Sequence, residues 1–257
     1  NTLGLKLEKQ QATNQVPEKK SVLRVVIHSF FVVPLIIAIF SVIIFLVVRI
    51  ITSEPNTAQD YLEDVKIGGS TKRWQGAFEL SKILSNPKMV PKDDRFILEM
   101  ISSFEYASND RDSRVRQYLA LAMGATKDSR YVPTLLASLD SSEPEMIMAS
   151  IHALGNIGDN AAVQSIINIL DHGEAKVRLQ AVISLGKIGD KSSISNLKEM
   201  MADSEVNVRW DAAIALAKLG DPSGQRILLD LLDRSYLDSF PNIDEIEQVQ
   251  AMMVAIQ

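Results

Sequence analysis

Three histidines and no cysteine limit the chemistry open to this 257-residue chain. Without cysteine there is no thiolate nucleophile, disulfide or Cys-ligated metal. His152 is followed by Ala153 and His172 by Gly173, so neither has the adjacent carboxylate of a His–Glu ligand pair; the third, His28, lies in an uncharged apolar run. No G-x-S-x-G, Walker, G-x-G-x-x-G or H-E-x-x-H pattern occurs. Carboxylates are plentiful but fall mostly at helix caps and turns, where solvation and the helix dipole account for them. No catalytic residue, cofactor or metal ligand is therefore expected. Arginine is the recurrent cation. Arg116, Arg178 and Arg209 share one helical position, and Asp110, Asp171 and Asp203 precede them by six or seven residues. This is either an anion-binding ladder or a structural Asp–Arg ladder joining successive turns. The local acid beside each guanidinium favours the structural ladder.

The elements that carry these side chains repeat. SRVRQYLALAMGATKD (113–128), PEMIMASIHALGNIGD (144–159), AKVRLQAVISLGKIGD (175–190) and VNVRWDAAIALAKLGD (206–221) align without gaps, and Asp128, Asp159, Asp190 and Asp221 are each 31 residues apart. Each unit resolves into two helices. The first has Val163, Ile166, Ile167 and Leu170 at helical spacing, followed by a turn through Asp171, His172 and Gly173. The second runs from about 175 to 188 and ends at Gly189, a residue suited to a left-handed C-cap. Gly124, Gly155 and Gly186 recur inside it, followed by Ala217. Glycine in a helix interior costs about 1 kcal/mol relative to alanine, so its recurrence implies close packing of neighbouring helices. One such hairpin cannot bury its apolar face alone, which predicts a stack.

Val177-Arg178 through Gly189-Asp190 follow V-R-x-x-A-x-x-x-L-G-x-I-G-D, the second-helix signature of the HEAT-like repeats first described in phycobilisome lyases. The resemblance is strong over about 113–235. The segment from Arg73 to Ile83 is similar to that from Arg209 to Leu219, which starts the stack near residue 71. The step of 43 from Arg73 to Arg116 implies a longer first helix at 92–107. Beyond 221, Arg226–Asp233 and Asp244–Ile256 continue the pattern around a Pro241 loop. The resemblance implies an all-α superhelix of about five hairpins. It also implies that the residue after the arginine column and the one four later line the inner, concave surface. Those pairs are Trp74/Phe78, Gln117/Leu121, Met148/His152, Leu179/Ile183 and Trp210/Ile214, an apolar stripe for a partner's helix or extended segment. The competing reading is that curvature buries the stripe within the solenoid. Deoxyhypusine hydroxylase is similar in architecture but needs the His–Glu pairs missing here.

Val25–Val48 (VVIHSFFVVPLIIAIFSVIIFLVV) is 24 residues without a formal charge, enough to cross a bilayer, so residues 25–50 are read as a transmembrane helix. It is longer than a signal-peptide core, and no small-residue cleavage site follows it, which predicts a retained anchor. Pro34 predicts a kink, and His28 is placed to reach the headgroups from one turn beyond Arg24. Five Lys/Arg precede the span, while Arg49 and Lys66 alone occupy the 20 residues after it. The positive-inside rule then puts residues 1–24, read as a flexible tail, in the cytoplasm of a bacterial-type inner membrane, and the solenoid on the periplasmic side. Residues 51–70 read as a linker with a short helix at Ala58–Val65, a Gly68-Gly69 hinge and a Ser70 or Thr71 cap. The solenoid is assigned to 71–257. An opening Asn points to trimming of the start, and the apolar last helix to a continuing chain or a covering partner.

Net charge is +4 over residues 1–51 and −9 over the remainder, so the folded part repels phosphate backbones and nucleic acid is not expected as a partner. The reading is a membrane-anchored protein–protein interaction scaffold, an accessory or assembly subunit of an integral-membrane complex. Its expected partners are other membrane-complex subunits, with the bilayer contacted through residues 25–50. The alternatives are a lyase-like or hydroxylase-like enzyme on the same frame, and a purely structural spacer.

Overall fold

The computed structural model describes residues 28–52, 56–110 and 112–256, with side chains from 30 to 49 in the first stretch. The expected tail (1–24) and the side chain of His28 lie outside the described residues. Among those described, the secondary structure is helical throughout, and the chain divides into two units between residues 55 and 56.

The first unit holds α1 (Val33–Thr52), preceded by a π-helical turn over His28–Val32. Phe30–Arg49 has a mean hydropathy of 3.3 and no buried residue, a length and composition shared by membrane spans and signal sequences. Pro34 is the second residue of α1, directly after the π-helical turn. Because proline has no N–H to give the turn before it, the irregular backbone lies just upstream, as the wide turn that runs directly into α1.

The second unit is five helix pairs closed by three further helices, with one more member than the repeat pattern suggests. The extra member is α2 (Ala58–Ile67), in the stretch read as linker. Its apolar stripe is short, but Ala58, Leu62 and Val65 are fully buried against α3 (Ser70–Ile83). Thr57 and Asp60 form a reciprocal capping box that fixes where it starts. Gly68-Gly69 is thus the tight turn inside the first pair, where a Cβ on Gly68 would strike the Asp64 carbonyl. Helix α3 begins at Ser70 itself, capped by Gly69 without the expected hydroxyl cap.

The remaining pairs are α4 (Asp94–Tyr106) with α5 (Arg114–Thr126), α6 (Val132–Ala137) with α7 (Pro144–Ile157), α8 (Val163–Ile167) with α9 (Ala175–Ile188), and α10 (Ile194–Met200) with α11 (Val206–Lys218). Last come α12 (Gln225–Asp230) and α13 (Arg234–Asp238), then α14 (Glu245–Ala255). The second helices α3, α5, α7, α9 and α11 pack successively on one another. The glycine column sets their approach. A Cβ on Gly124 would lie 2.5 Å from Ala153 Cα, one on Gly155 2.7 Å from Ser184 Cβ, and one on Gly186 2.8 Å from Ala215 Cβ. Ala217 is exposed, because α14 does not extend the stack at that point.

The recurring aspartates open the next repeat. Asp128, Asp159, Asp190 and Asp221 each accept the backbone N–H two residues on, from Arg130, Ala161, Ser192 and Ser223, at 2.8–3.0 Å. Just before them the chain is left-handed, at Gly158, Gly189 and Gly220 (φ +76, +80 and +77°) and, in the first copy, at Lys127 (φ +58°).

Candidate functional site

The arginine ladder forms with a register different from the expected one. Arg178 Nε and Nη2 grip Asp203 at 2.8 Å each, and Arg73 Nη1 meets Asp110 at 2.9 Å, so each acid comes from the following repeat. The turn before each arginine supplies carbonyls instead: Arg178 Nη1 donates to His172 and Gly173, and Arg209 Nη1 to Asp203 and Ser204. Neither Asp171 with Arg178 nor Asp110 with Arg116 pairs as the sequence suggested. The reason is geometric. An arginine near the start of a second helix reaches across to the next turn in the stack, while its own turn lies close enough only for backbone oxygens. Arg178 holds the Asp203 carboxyl below its ordinary range, and Asp203 in turn raises Arg178.

Arg116 breaks the series. Its partner column holds Ser141 where the flanking rungs hold Asp110 and Asp203, and its Nε is buried without a hydrogen-bond acceptor. The guanidinium lies over the Phe104 ring at 4.7 Å, and burial pulls it below its ordinary pKa. At the third copy Ile147 replaces arginine. The ladder is structural, and its rungs are uneven.

Residues i and i+4 of one helix share a side, but the nine residues of the predicted stripe are not equally free. Trp74, Leu121, Met148, His152, Leu179 and Ile183 are half-buried, and Phe78 is 36% exposed. At the far end Trp210 is 2% and Ile214 8% exposed. The last pair fills that end: Phe240 meets the Trp210 ring edge-on at 5.5 Å, and the Tyr236 hydroxyl accepts from the indole N–H at 3.3 Å. The buried Gln248 amide anchors this cap by donating to the carbonyls of Leu237, Phe240 and Ile243 at 3.1–3.3 Å.

At the near end Arg114 lies 4.4 Å over the Trp74 ring, and Tyr118 packs edge-on against Phe78 at 5.2 Å. A cavity of about 430 Å³ borders Trp74 and Phe78 there, with Tyr61 opposite. A second, of about 280 Å³, opens between Leu179 and Ile183 of α9, Ile214 of α11 and Val254 of α14. Two residues outside the predicted pairs contribute to these places: Tyr118 beside Phe78, and Asp211 on the floor of the second cavity. Both sit one position after the first stripe column, a position the sequence reading assigned no role. Burial pushes the Asp211 carboxyl up to about 6.

The two described histidines sit in different settings. His152 is half-buried, and burial and Lys187 lower its pKa; His172 Nδ1 accepts the Glu174 backbone N–H at 3.0 Å. No group of three metal-ligating side chains converges among the described residues.

Comparison with known proteins places this architecture. The family model described as HEAT repeats matches residues 103–175 and 163–238, together more than half of the chain. Among solved structures, the complex of CpcE and CpcF of phycocyanin lyase from Nostoc sp. PCC7120 is similar at a TM-score of 0.59 and 16% identity, covering 80% of this chain and 96% of that one. Two engineered proteins are similar at a TM-score of 0.50, with 18% and 19% identity, each over 79% of this chain and 96% and 98% of theirs. No curated protein matches in sequence. At these identities the solved structures show a shared fold, and the family model adds membership: the chain belongs to the HEAT-repeat family, an α-helical repeat scaffold suited to protein–protein interaction.

Proposed function

We propose that this protein is a membrane-tethered scaffold whose half-buried stripe, from Trp74 and Phe78 through Leu121, Met148 and His152 to Leu179 and Ile183, takes a polypeptide partner. The carrying observation is that seven of the nine stripe residues keep exposed surface while the chain's own last hairpin covers the other two. Apolar surface left open along a repeat stack is what a partner's apolar side chains bury. Trp210 and Ile214 belong to the end cap in this reading.

Phe30–Arg49, apolar and with no residue buried in the fold, supports an anchor in a bacterial-type inner membrane. The basic excess before it supports a cytoplasmic N-terminus and a periplasmic solenoid. Tethering raises the local concentration of membrane-bound partners without high intrinsic affinity, which suits an accessory or assembly subunit of an integral-membrane complex. The test is purification in mild detergent with identification of co-purifying subunits, for the wild type and for Met148→Asp with Leu179→Asp. Loss of partners with an unchanged melting curve is the expected result. Retention of the same partners by the folded double variant would refute the groove.

The likeness to CpcE and CpcF raises a lyase-like role as a second reading. It requires a bilin-type chromophore to bind or transfer, which visible absorbance after incubation with bilin would reveal.

A further inference from the structure

We infer that the cavity between α9, α11 and α14 receives a basic side chain, arginine or lysine, from the polypeptide that lies along the stripe. This rests on the groove reading above and adds the chemistry that would select the occupant. The cavity holds about 280 Å³ and its walls are mainly apolar, formed by Leu179, Ile183, Trp210, Ile214 and Val254. Its floor is the Asp211 carboxylate, and Glu247 stands at the mouth.

The polar groups here are short of donors. Asp211 makes no hydrogen bond or ion pair among the described residues; the cation acting on it is Lys218, seven residues further along the same helix. Glu247 accepts from Asn207 Nδ2 at 3.1 Å, and the Asn207 Oδ1 atom is itself buried with no donor. Burial raises the Asp211 pKa to about 6, so at neutral pH an ionised carboxylate sits in an apolar recess without a partner. That arrangement destabilises the fold, and a guanidinium or ammonium brought from outside would compensate it. The long aliphatic stem of arginine or lysine matches the apolar walls, and its charged head the floor. In the arginine ladder Asp110 and Asp203 each meet a guanidinium from the preceding repeat. Asp211 has no such partner.

Fluorescently labelled, capped Leu-Leu-Arg-Leu-Leu and its citrulline counterpart, the same shape without charge, provide the probe. Each is titrated by anisotropy against the full chain in detergent micelles. The arginine peptide is expected to bind at least tenfold more tightly, and Asp211→Asn to erase that difference while melting no lower than the wild type. Equal binding of both peptides, with both lost in Leu179→Ser, would overturn the basic-side-chain assignment and leave the groove standing. A preference that survives in Asp211→Asn would overturn it equally. If neither peptide binds, this inference and the groove reading fall together.

Discussion

Replacing Gly124 by alanine tests whether the glycine column sets the stack. The added Cβ would lie 2.5 Å from Ala153 Cα and 2.7 Å from its Cβ, against an ordinary carbon–carbon contact of about 3.5–4.0 Å. Helix α7 must therefore retreat by roughly 1 Å, and because the nearest atom is backbone, no side-chain rotation relieves the clash. Overpacking of this kind costs about 1–3 kcal/mol. Alanine returns about 1 kcal/mol in helix propensity. With backbone forced to move, the upper part of the range applies and the net loss is about 2 kcal/mol, or about 4–8 °C in melting temperature for a unit of this size. Thermal melting followed by far-ultraviolet circular dichroism reads it. Gly186→Ala supplies the internal control: its closest obstacle is the Ala215 Cβ at 2.8 Å, so adding Ala215→Gly should recover most of the loss, with the two propensity changes cancelling. Gly173→Ala, with nothing within 4 Å, should leave the melt unchanged. A Gly124→Ala protein as stable as wild type, or a Gly186→Ala loss that Ala215→Gly does not recover, would refute the packing argument.

Four further outcomes follow from the ladder, the caps and the cavity. Ser141→Asp should give Arg116 the acid its neighbours have and raise the melting temperature by a few degrees; Asp203, whose Oδ1 accepts the Glu205 N–H, shows that the turn accommodates aspartate there. Asp203→Asn should lower stability at pH 7 by about 2 kcal/mol, the scale of a charge-assisted hydrogen-bonded pair. Because the folded Asp203 carboxyl is held low, its contribution is present above the ordinary aspartate range and fades as pH falls through the lowered value, so wild type and variant should converge in acid urea melts. Lys127→Gly should stabilise by about 1 kcal/mol by removing a side chain from a left-handed cap, measured by the same melts. Asp211 carries the opposite pH sign: its raised carboxyl weakens the fold as pH rises from about 4 through 6, so Asp211→Asn should melt higher at pH 7.5 and equally at pH 4.

The stack itself was legible because its cause is periodic. A 31-residue spacing seen in aspartate, glycine and leucine columns reflects one cap, one close approach and one buried position per repeat. What escaped the sequence was aperiodic or depended on register. Helix α2 has only ten residues and a stripe of three buried side chains, so it read as part of a linker. The ladder partners were misassigned by one repeat because sequence proximity favours the preceding turn, whereas the arginine reaches across the stack. Helical spacing picked out the stripe residues, but the closing of the end at Trp210 depends on Tyr236 and Phe240 folding back, and no repeat column encodes that. Asp211 looked like any exposed helical carboxylate until α14 was placed over it.

The aspartate at each repeat boundary has a consequence for how the protein can be lengthened or shortened. Since three of the four boundaries pair a left-handed glycine with an aspartate that starts the next helix, Gly158-Asp159 and Gly189-Asp190 are chemically interchangeable joints. Excising residues 159–189 would splice Gly158 to Asp190 and recreate the same joint, with Gly155 now facing Ala215 instead of Ser184. The molecule is in this sense modular, and its stack can be shortened in steps of one repeat.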